Sequence, residues 1–208
     1  SGTNVHPTRA AAGYLVQTDH TFLLDFGPRT LTNLIKSGVD RHRITHILFS
    51  HFHADHFADF IPFFFDAVIY CKYQGGQRPP LTLIGPRGTA TLMRAMMTTF
   101  PSFDRPPFRV TIREVSDRSF RLGDTRIRPA TVKHAPRLHC VGYRIEYQDH
   151  VVAYSGDSLY CDSLVKLCRD ADVAILDCSF PENEPGAGHL HAGECGRVAQ
   201  EAGIDRLV

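Results

Sequence analysis

The chain has 208 residues, of which 43% are hydrophobic and 22% charged, with a formal net charge of +1, a composition typical of globular proteins. This length favours one domain, spanning residues 1–208, with a substantial core. The small net charge excludes a strong overall attraction to nucleic acid or membrane surfaces. The sequence also lacks an apolar run near the roughly 20 residues of a membrane span, so no membrane partner is expected.

The cysteine pattern indicates a reducing compartment. The six cysteines are scattered, without a Cys-x-x-Cys pair, so they are predicted to be free or buried thiols rather than a disulfide framework. No signal peptide is recognisable in the sequence. We therefore expect a cytoplasmic protein.

Apolar periodicity and turn residues predict alternating strands and helices in the first half. The predicted strands are 13–17, 21–26, 45–50 and 81–84, and the predicted helices are 29–37, 57–70 and 89–99. A Gly-Pro-Arg-Gly turn at 85–88 leads into the last of these helices. It is either a simple turn or a cradle for an anion.

The second half is richer in strands. The predicted strands are 108–115, 120–122, 125–132, 141–147, 151–154, 173–177 and one from Arg206 onward, with helices at 159–168 and 192–202. Two β-rich parts flanked by helices predict an α/β fold in which two sheets pack face to face, with helices outside. Residues 105–137 carry nine Lys or Arg against three acids, which indicates either a solvated face or a surface for an anionic substrate.

The sequence His51-Phe52-His53-Ala54-Asp55-His56 follows the predicted strand 45–50 and is the strongest functional signal in the chain. Imidazole and carboxylate groups are ligands that zinc accepts; the alternative is a histidine-rich surface loop. His51 and His53 point to the same side of an extended chain, so both can reach one ion. Asp55 and His56 need a turn to reach a neighbouring point, which favours a second ion. Two cations about 3.5–4 Å apart commonly activate a bridging water.

Two ions need further ligands, and the ends of later predicted strands offer them. His134 follows strand 125–132, and His139 is the competing candidate. Asp157 follows strand 151–154 and its two oxygens can bridge two ions. The alternative role for Asp157 is a helix N-cap.

Other polar residues are candidates for supporting roles. Asp25 ends a strand and is predicted to orient a histidine ligand. Asp177 ends another strand and is either a similar support or a helix cap. His189 and His191 lie in a glycine-rich loop, and one of them is a candidate general acid for the leaving group.

These motifs, in this order, resemble those of the metallo-β-lactamase superfamily, whose hallmark is His-x-His-x-Asp-His after a strand. The branch that the chain resembles contains RNase Z-like and cyclic-phosphodiesterase-like hydrolases, and the resemblance covers nearly the whole chain. It implies the αββα four-layer sandwich of that superfamily. Besides the motif and His134, the segments that carry the resemblance are Leu24-Asp25-Phe26-Gly27, Leu83-Ile84-Gly85-Pro86-Arg87-Gly88, Gly142-Tyr143-Arg144-Ile145-Glu146, Tyr154-Ser155-Gly156-Asp157, and Gly188-His189 followed by Glu194.

The resemblance also implies roles for individual residues. The first ion would be held by His51, His53 and His134. The second ion would be held by Asp55 and His56, and Asp157 would bridge both. His189 would protonate the leaving group, so Asp55 and His189 are the expected catalytic residues. Zinc is the expected metal, with manganese and iron as alternatives.

The sequence departs from the family pattern at its two ends. The family places a last ligand histidine beyond the final strand and a glycine-rich segment at the start. This sequence stops at Leu207-Val208 and opens with Ser1-Gly2. Either the sequence is truncated at both ends, which we expect, or the second ion has lost a ligand.

The expected activity is that of a phosphodiesterase in which a water bridged between two metal ions attacks a small or cyclic phosphodiester. The small net charge and the short stretch after the motif, where only Lys72 and Arg78 are basic, favour such a substrate over folded RNA. The alternatives are a transfer-RNA 3′-processing endonuclease of the RNase Z type, a lactone or thioester hydrolase, and a non-catalytic metal-binding module. A homodimer through the Phe-rich stretch from Phe57 is a further expectation, because the resemblance implies a branch whose members often dimerise.

Overall fold

The structure is a computed structural model that describes residues 4–182 and 188–208. Residues 1–3, which include the Ser1-Gly2 opening, and residues 183–187 lie outside this description. The chain divides after Glu114 into two compact units, and each contains one β-sheet with its own helices. The α/β class is therefore as predicted, and the single domain over 1–208 stays a prediction.

The sheet of the first unit has five strands, in the order β1-β2-β3-β4-β5. Only β1 and β2 are antiparallel neighbours, and the other pairs are parallel. The strands are β1 (Tyr14–Gln17), β2 (Thr21–Leu24), β3 (His46–Leu48), β4 (Leu81–Gly85) and β5 (Val110–Glu114). The helices are α1 (Thr30–Lys36), α2 (Ala54–Phe57), α3 (Phe60–Tyr73) and α4 (Thr89–Thr99), with 3₁₀ turns at Arg41–Arg43 and Pro101–Phe103.

The Phe-rich stretch mainly builds the core of this unit. Phe60, Phe63 and Phe64 of α3 are buried and pack with the apolar residues of β2, β3 and β4. The helix was predicted at 57–70, whereas α3 begins at Phe60 because residues 54–57 form the separate helix α2. Phe65 and Tyr73 of α3 remain exposed.

The turn at 85–88 already holds an anionic group of the protein itself. Glu114 Oε1 accepts hydrogen bonds from the amides of Gly88 and Ala90, each at 3.0 Å. A carboxylate at this position satisfies the amides that open α4. The structure therefore favours the simple turn over a cradle for an external anion.

The sheet of the second unit has six strands, in the order β11-β10-β9-β8-β7-β6. Neighbours from β6 to β9 are antiparallel, whereas β9, β10 and β11 run parallel. The strands are β6 (Phe120–Leu122), β7 (Thr125–Val132), β8 (Cys140–Tyr147), β9 (His150–Tyr154), β10 (Val173–Ile175) and β11 (Arg206–Leu207). Two helices, α5 (Asp162–Cys168) and α6 (Ala192–Ala202), pack on the sheet through a shared apolar cluster.

All six cysteines are free thiols, and four of them are buried, as the sequence predicted. Within residues 4–182 and 188–208, every helix is too short or too polar to cross a lipid bilayer.

Candidate functional site

The histidine motif lies directly after β3, in an extended segment that leads into α2. His51 Nε2 lies 3.0 Å from His53 Nδ1, so nitrogen atoms of the two rings converge on one point. The turn that the sequence required for the next pair is α2 itself, which carries Asp55 and His56. Asp55 Oδ2 lies 3.7 Å from His56 Nε2. The first unit therefore brings all four predicted ligands of the motif together as two pairs.

Asp25 and Ser50 support these histidines. Asp25 Oδ2 lies 2.6 Å from His56 Nδ1 and accepts a hydrogen bond from Ser50 Oγ at 2.6 Å. Ser50 Oγ lies 3.0 Å from His51 Nδ1. In both histidines Nδ1 thus contacts a supporting group, while Nε2 faces another predicted ligand, which is the usual arrangement around metal-binding histidines. Sequence reasoning had identified Asp25 but not Ser50, whose only signal is a polar residue at the end of a buried strand.

The backbone around Asp25 packs closely against the backbone of the histidine motif. Asp25 has φ of 56°, a left-handed conformation that Asp tolerates better than most residues. The amide of Phe26 donates to the carbonyl of His56 at 2.6 Å. A Cβ atom at Gly27 would collide with the carbonyl of Asp55, so only glycine allows this approach.

In the second unit, His134 follows β7 and lies beside Asp157. His134 Nε2 is 3.6 Å from Asp157 Oδ2, and His134 Nδ1 is 2.7 Å from the carbonyl oxygen of Gly188. The competing candidate, His139, has its Nε2 atom 3.3 Å from Thr131 Oγ1. The geometry therefore favours His134 over His139 as the partner of Asp157.

Asp157, Asp177 and His189 form a group in which each offers a ligand atom within 4.8 Å of the others. His189 Nδ1 lies 2.7 Å from Asp177 Oδ2 and 3.9 Å from Asp157 Oδ2. Asp177 also accepts a hydrogen bond from Ser179 Oγ at 2.5 Å. Burial, together with the nearby Asp157 carboxylate, raises the pKa of Asp177, while its hydrogen bonds from Ser179 and His189 oppose this shift. Asp177 thus supports a histidine, which was one of its two predicted roles.

His191, the other candidate general acid, begins α6 instead. Its side chain accepts from the amide of Glu194 at 3.4 Å, and Glu194 Oε2 accepts from the amide of His191 at 3.3 Å. This mutual pair is a capping box. His189 is therefore the better candidate for proton transfer.

The donor atoms of each unit fit a transition-metal ion. Imidazole nitrogens and carboxylate oxygens suit zinc and similar metals. The rings of His51, His56 and His134 are each oriented by a contact at Nδ1, as is usual for histidines that bind a metal.

Comparison with known proteins identifies the family. Residues 20–208 match the family described as the Beta-lactamase superfamily domain. The chain belongs to the metallo-β-lactamase superfamily. Over 205 residues it is 30% identical to a probable metallo-hydrolase, YhfI, of Bacillus subtilis, covering 96% of this chain and 78% of that protein. Over 183 residues it is 31% identical to a ribonuclease Z of Mycolicibacterium gilvum, covering 80% of this chain and 62% of that protein.

Solved structures agree with this assignment. The structure of the Bacillus subtilis metallo-β-lactamase fold protein YhfI matches with a TM-score of 0.82 at 28% identity, covering 99% of this chain and 80% of that chain. The short form of human tRNase Z matches with a TM-score of 0.81 at 21% identity, covering 97% of this chain and 85% of that chain. The predicted metallo-β-lactamase fold and its RNase Z-like branch are therefore confirmed.

Proposed function

We propose that this superfamily metallo-hydrolase is a phosphodiesterase that acts on a small or cyclic phosphodiester. The observation that carries the proposal is the contact of His189 Nδ1 with Asp177 Oδ2 at 2.7 Å, beside Asp157. A histidine oriented through Nδ1 can donate a proton from Nε2 to a departing alkoxide oxygen. Phosphodiesters of ordinary alcohols need such a proton, because an alkoxide is a poor leaving group. Similarity to proteins named ribonuclease Z also supports a phosphodiester bond as the bond that is cleaved.

Under this proposal, His51, His53 and His134 hold one divalent ion. Asp55 and His56 hold a second, and Asp157 serves both; zinc is the first choice, with manganese and iron as alternatives. When bound, such ions lower the pKa of coordinated water and stabilise negative charge on the phosphoryl group. The carboxylate of Asp25, the hydroxyl of Ser50 and the carbonyl of Gly188 keep the histidine rings in position.

The surroundings of Arg78 support a small substrate over folded RNA. The Arg78 guanidinium lies 4.6 Å from the centre of the Phe108 ring and donates to the carbonyl of Ile44 at 2.7 Å. It is therefore engaged with the protein, and Lys72 is the exposed basic residue of the stretch 57–80. Folded RNA is usually held by many cationic contacts to phosphate. A cytoplasmic location and a homodimer, which would use the exposed face of α3, stay predictions.

One panel of substrates tests the proposal. The metal-loaded protein is assayed with bis-p-nitrophenyl phosphate, nucleoside 2′,3′-cyclic phosphates, precursor transfer RNA, a lactone and a thioester. We expect diester turnover that chelation abolishes and added zinc or manganese restores. Cleavage of precursor transfer RNA alone would instead establish a processing endonuclease, and turnover of the lactone or thioester alone an acyl hydrolase. Stoichiometric metal without any turnover would establish a non-catalytic metal-binding module.

A further inference from the structure

A cavity of about 610 Å³ lies in the second unit, lined by residues of α5, β7 and β8. Its volume falls within the range of about 300–1,000 Å³ that is usual for small-molecule pockets. The described lining residues include none of the predicted metal ligands, so the cavity is separate from the chemistry proposed above. Four cations line it, namely Arg128, Arg144, Lys166 and Arg169.

The register of β7 and β8 concentrates positive charge at this cavity. Arg128 pairs with Arg144 across the two strands, and Arg126 pairs with Glu146, so all four side chains project from one face. Glu146 Oε1 lies 2.7 Å from Arg144 Nε and 3.1 Å from Arg128 Nε, and its Oε2 lies 3.9 Å from Arg126 Nε. The cavity lining as a whole carries four cations and three carboxylates, so a surplus of one positive charge remains.

Arg144 is held in place before any ligand arrives. Its Nη1 atom donates to the carbonyl of Leu167 at 3.2 Å and to the carbonyl of Arg169. Both carbonyls lie at the C-terminal end of α5, where a cation is favoured by the helix dipole. A fixed guanidinium loses little conformational entropy when an anion binds.

Lys166 and Arg169 supply the cations that the protein does not itself neutralise. Within the described part of the chain, neither side chain takes part in an ion pair or a hydrogen bond. The lining also contains Asp117 and Asp170. Asp117 Oδ1 accepts a hydrogen bond from the amide of Thr131 at 2.6 Å.

We infer that this cavity binds a phosphate monoester whose organic group is roughly the size of a nucleoside. Lys166, Arg169 and Arg128 would contact the phosphate, because ammonium and guanidinium groups form strong hydrogen bonds to it. Pro129, Ala130 and Leu167 give the cavity an apolar wall, which suits the organic group.

Binding can be tested on the metal-loaded protein with adenosine 5′-monophosphate as the probe. Isothermal titration calorimetry gives the affinity, and amide chemical shifts in α5 give the location. We expect shifts at Ser163 and Leu167, and about tenfold weaker binding in a Lys166→Ala/Arg169→Ala double variant. Turnover of bis-p-nitrophenyl phosphate should stay unchanged, since neither residue belongs to the proposed catalytic group.

A Lys36→Ala/Arg43→Ala variant is the matched control, because it removes two exposed cations from the first unit. It should bind the probe like the unaltered protein. Unchanged affinity in the Lys166→Ala/Arg169→Ala variant, or shifts confined to residues around Asp157, would overturn the inference. Dependence of single-stranded RNA binding on these residues, without binding of adenosine 5′-monophosphate, would also overturn it and would indicate a polyanion surface.

Discussion

The carboxylate of Asp25 lies 2.6 Å from Nδ1 of His56, and both side chains are buried. This pair connects the loop after β2 to the histidine motif after β3. It also fixes which nitrogen of His56 faces Asp55, since Nε2 is the atom 3.7 Å from the Asp55 carboxylate. Orientation of His56 therefore depends on a residue outside the motif.

Replacing Asp25 by Asn is expected to lower metal affinity and hydrolysis by about 10- to 100-fold, the usual effect of losing a support behind a ligand histidine. Asn tolerates the left-handed backbone that Asp25 adopts, so the fold should survive. Metal content by mass spectrometry and diester turnover provide the measurement. Asp66→Asn on α3, which alters an ion pair with Arg41, is the control, and an equal loss in both variants would contradict the assigned role.

Substitution of His189 by Gln should affect substrates according to their leaving groups. A nucleoside 2′,3′-cyclic phosphate releases an alkoxide, so kcat should fall by about 10²- to 10⁴-fold without the acid. Bis-p-nitrophenyl phosphate releases a stable phenolate and should be affected far less. Comparing kcat for the two substrates distinguishes the roles, because equal losses would indicate that His189 acts as a metal ligand.

Gly188→Ala should disturb the position of His134, which lies beside Asp157 in the second unit. Gly188 has φ of 94°, and an added Cβ would lie 3.0 Å from both Nδ1 and the carbonyl oxygen of His134. We expect a loss of about 1–3 kcal/mol in stability, together with weaker metal binding. Gly196→Ala is the matched control, because the helical Gly196 has open space around it. That variant should gain about 0.5–1 kcal/mol, and urea unfolding measures both; a harmless Gly188→Ala change would contradict the described contact.

Because His46 is buried, the free energy of unfolding should fall in mild acid. Burial, with a smaller contribution from His20 and opposition from Asp19, lowers the pKa of His46 to about 4. The unfolded chain protonates this histidine near its ordinary pKa of about 6.5, so protons favour unfolding between these values. The contribution of His46 is complete above pH of about 6.5 and is lost as the pH falls toward about 4.

Below the unfolded-state pKa the linkage is at most ~1.4 kcal/mol per pH unit, so the expected loss from this residue between neutral pH and pH of about 5 is on the order of 1–2 kcal/mol. Urea unfolding of the unaltered protein and of His46→Phe at both pH values isolates the contribution of His46 to the pH dependence of stability. His150→Gln, at an exposed histidine, should keep the full pH dependence. Parallel curves for the unaltered protein and His46→Phe would refute the prediction.

Sequence patterns located the elements well where local signals are strong. The strand predicted at 125–132 and the helices at 89–99 and 192–202 match β7, α4 and α6. The helix predicted at 159–168 begins only at Asp162: Cys161 has an extended backbone, with φ of −157° and ψ of 155°, and the amide of Leu159 bonds to the carbonyl of Lys133 at 2.6 Å. Such a bond joins residues far apart in sequence, so local periodicity cannot reveal it.

The same distinction applies to the candidate site. The ligand candidates stand at strand ends, where polar residues after apolar runs are visible in the sequence. Ser50 supports the site through a contact with Asp25 that spans 25 positions. The carbonyl of Gly188 reaches His134 across 54 positions and carries no side-chain signal at all. These contacts become visible only when the folded chain brings the strand ends together.

We expect diester hydrolysis to depend on metal held by the predicted ligands. A chelation series, with turnover of bis-p-nitrophenyl phosphate and bound metal per chain measured on the same samples, tests this dependence. We predict that turnover rises with metal content and is greatest near two ions per chain, and that Asp157→Asn fails to reach either level. Turnover that persists after complete removal of metal, or fully metal-loaded protein without turnover, would contradict this expectation.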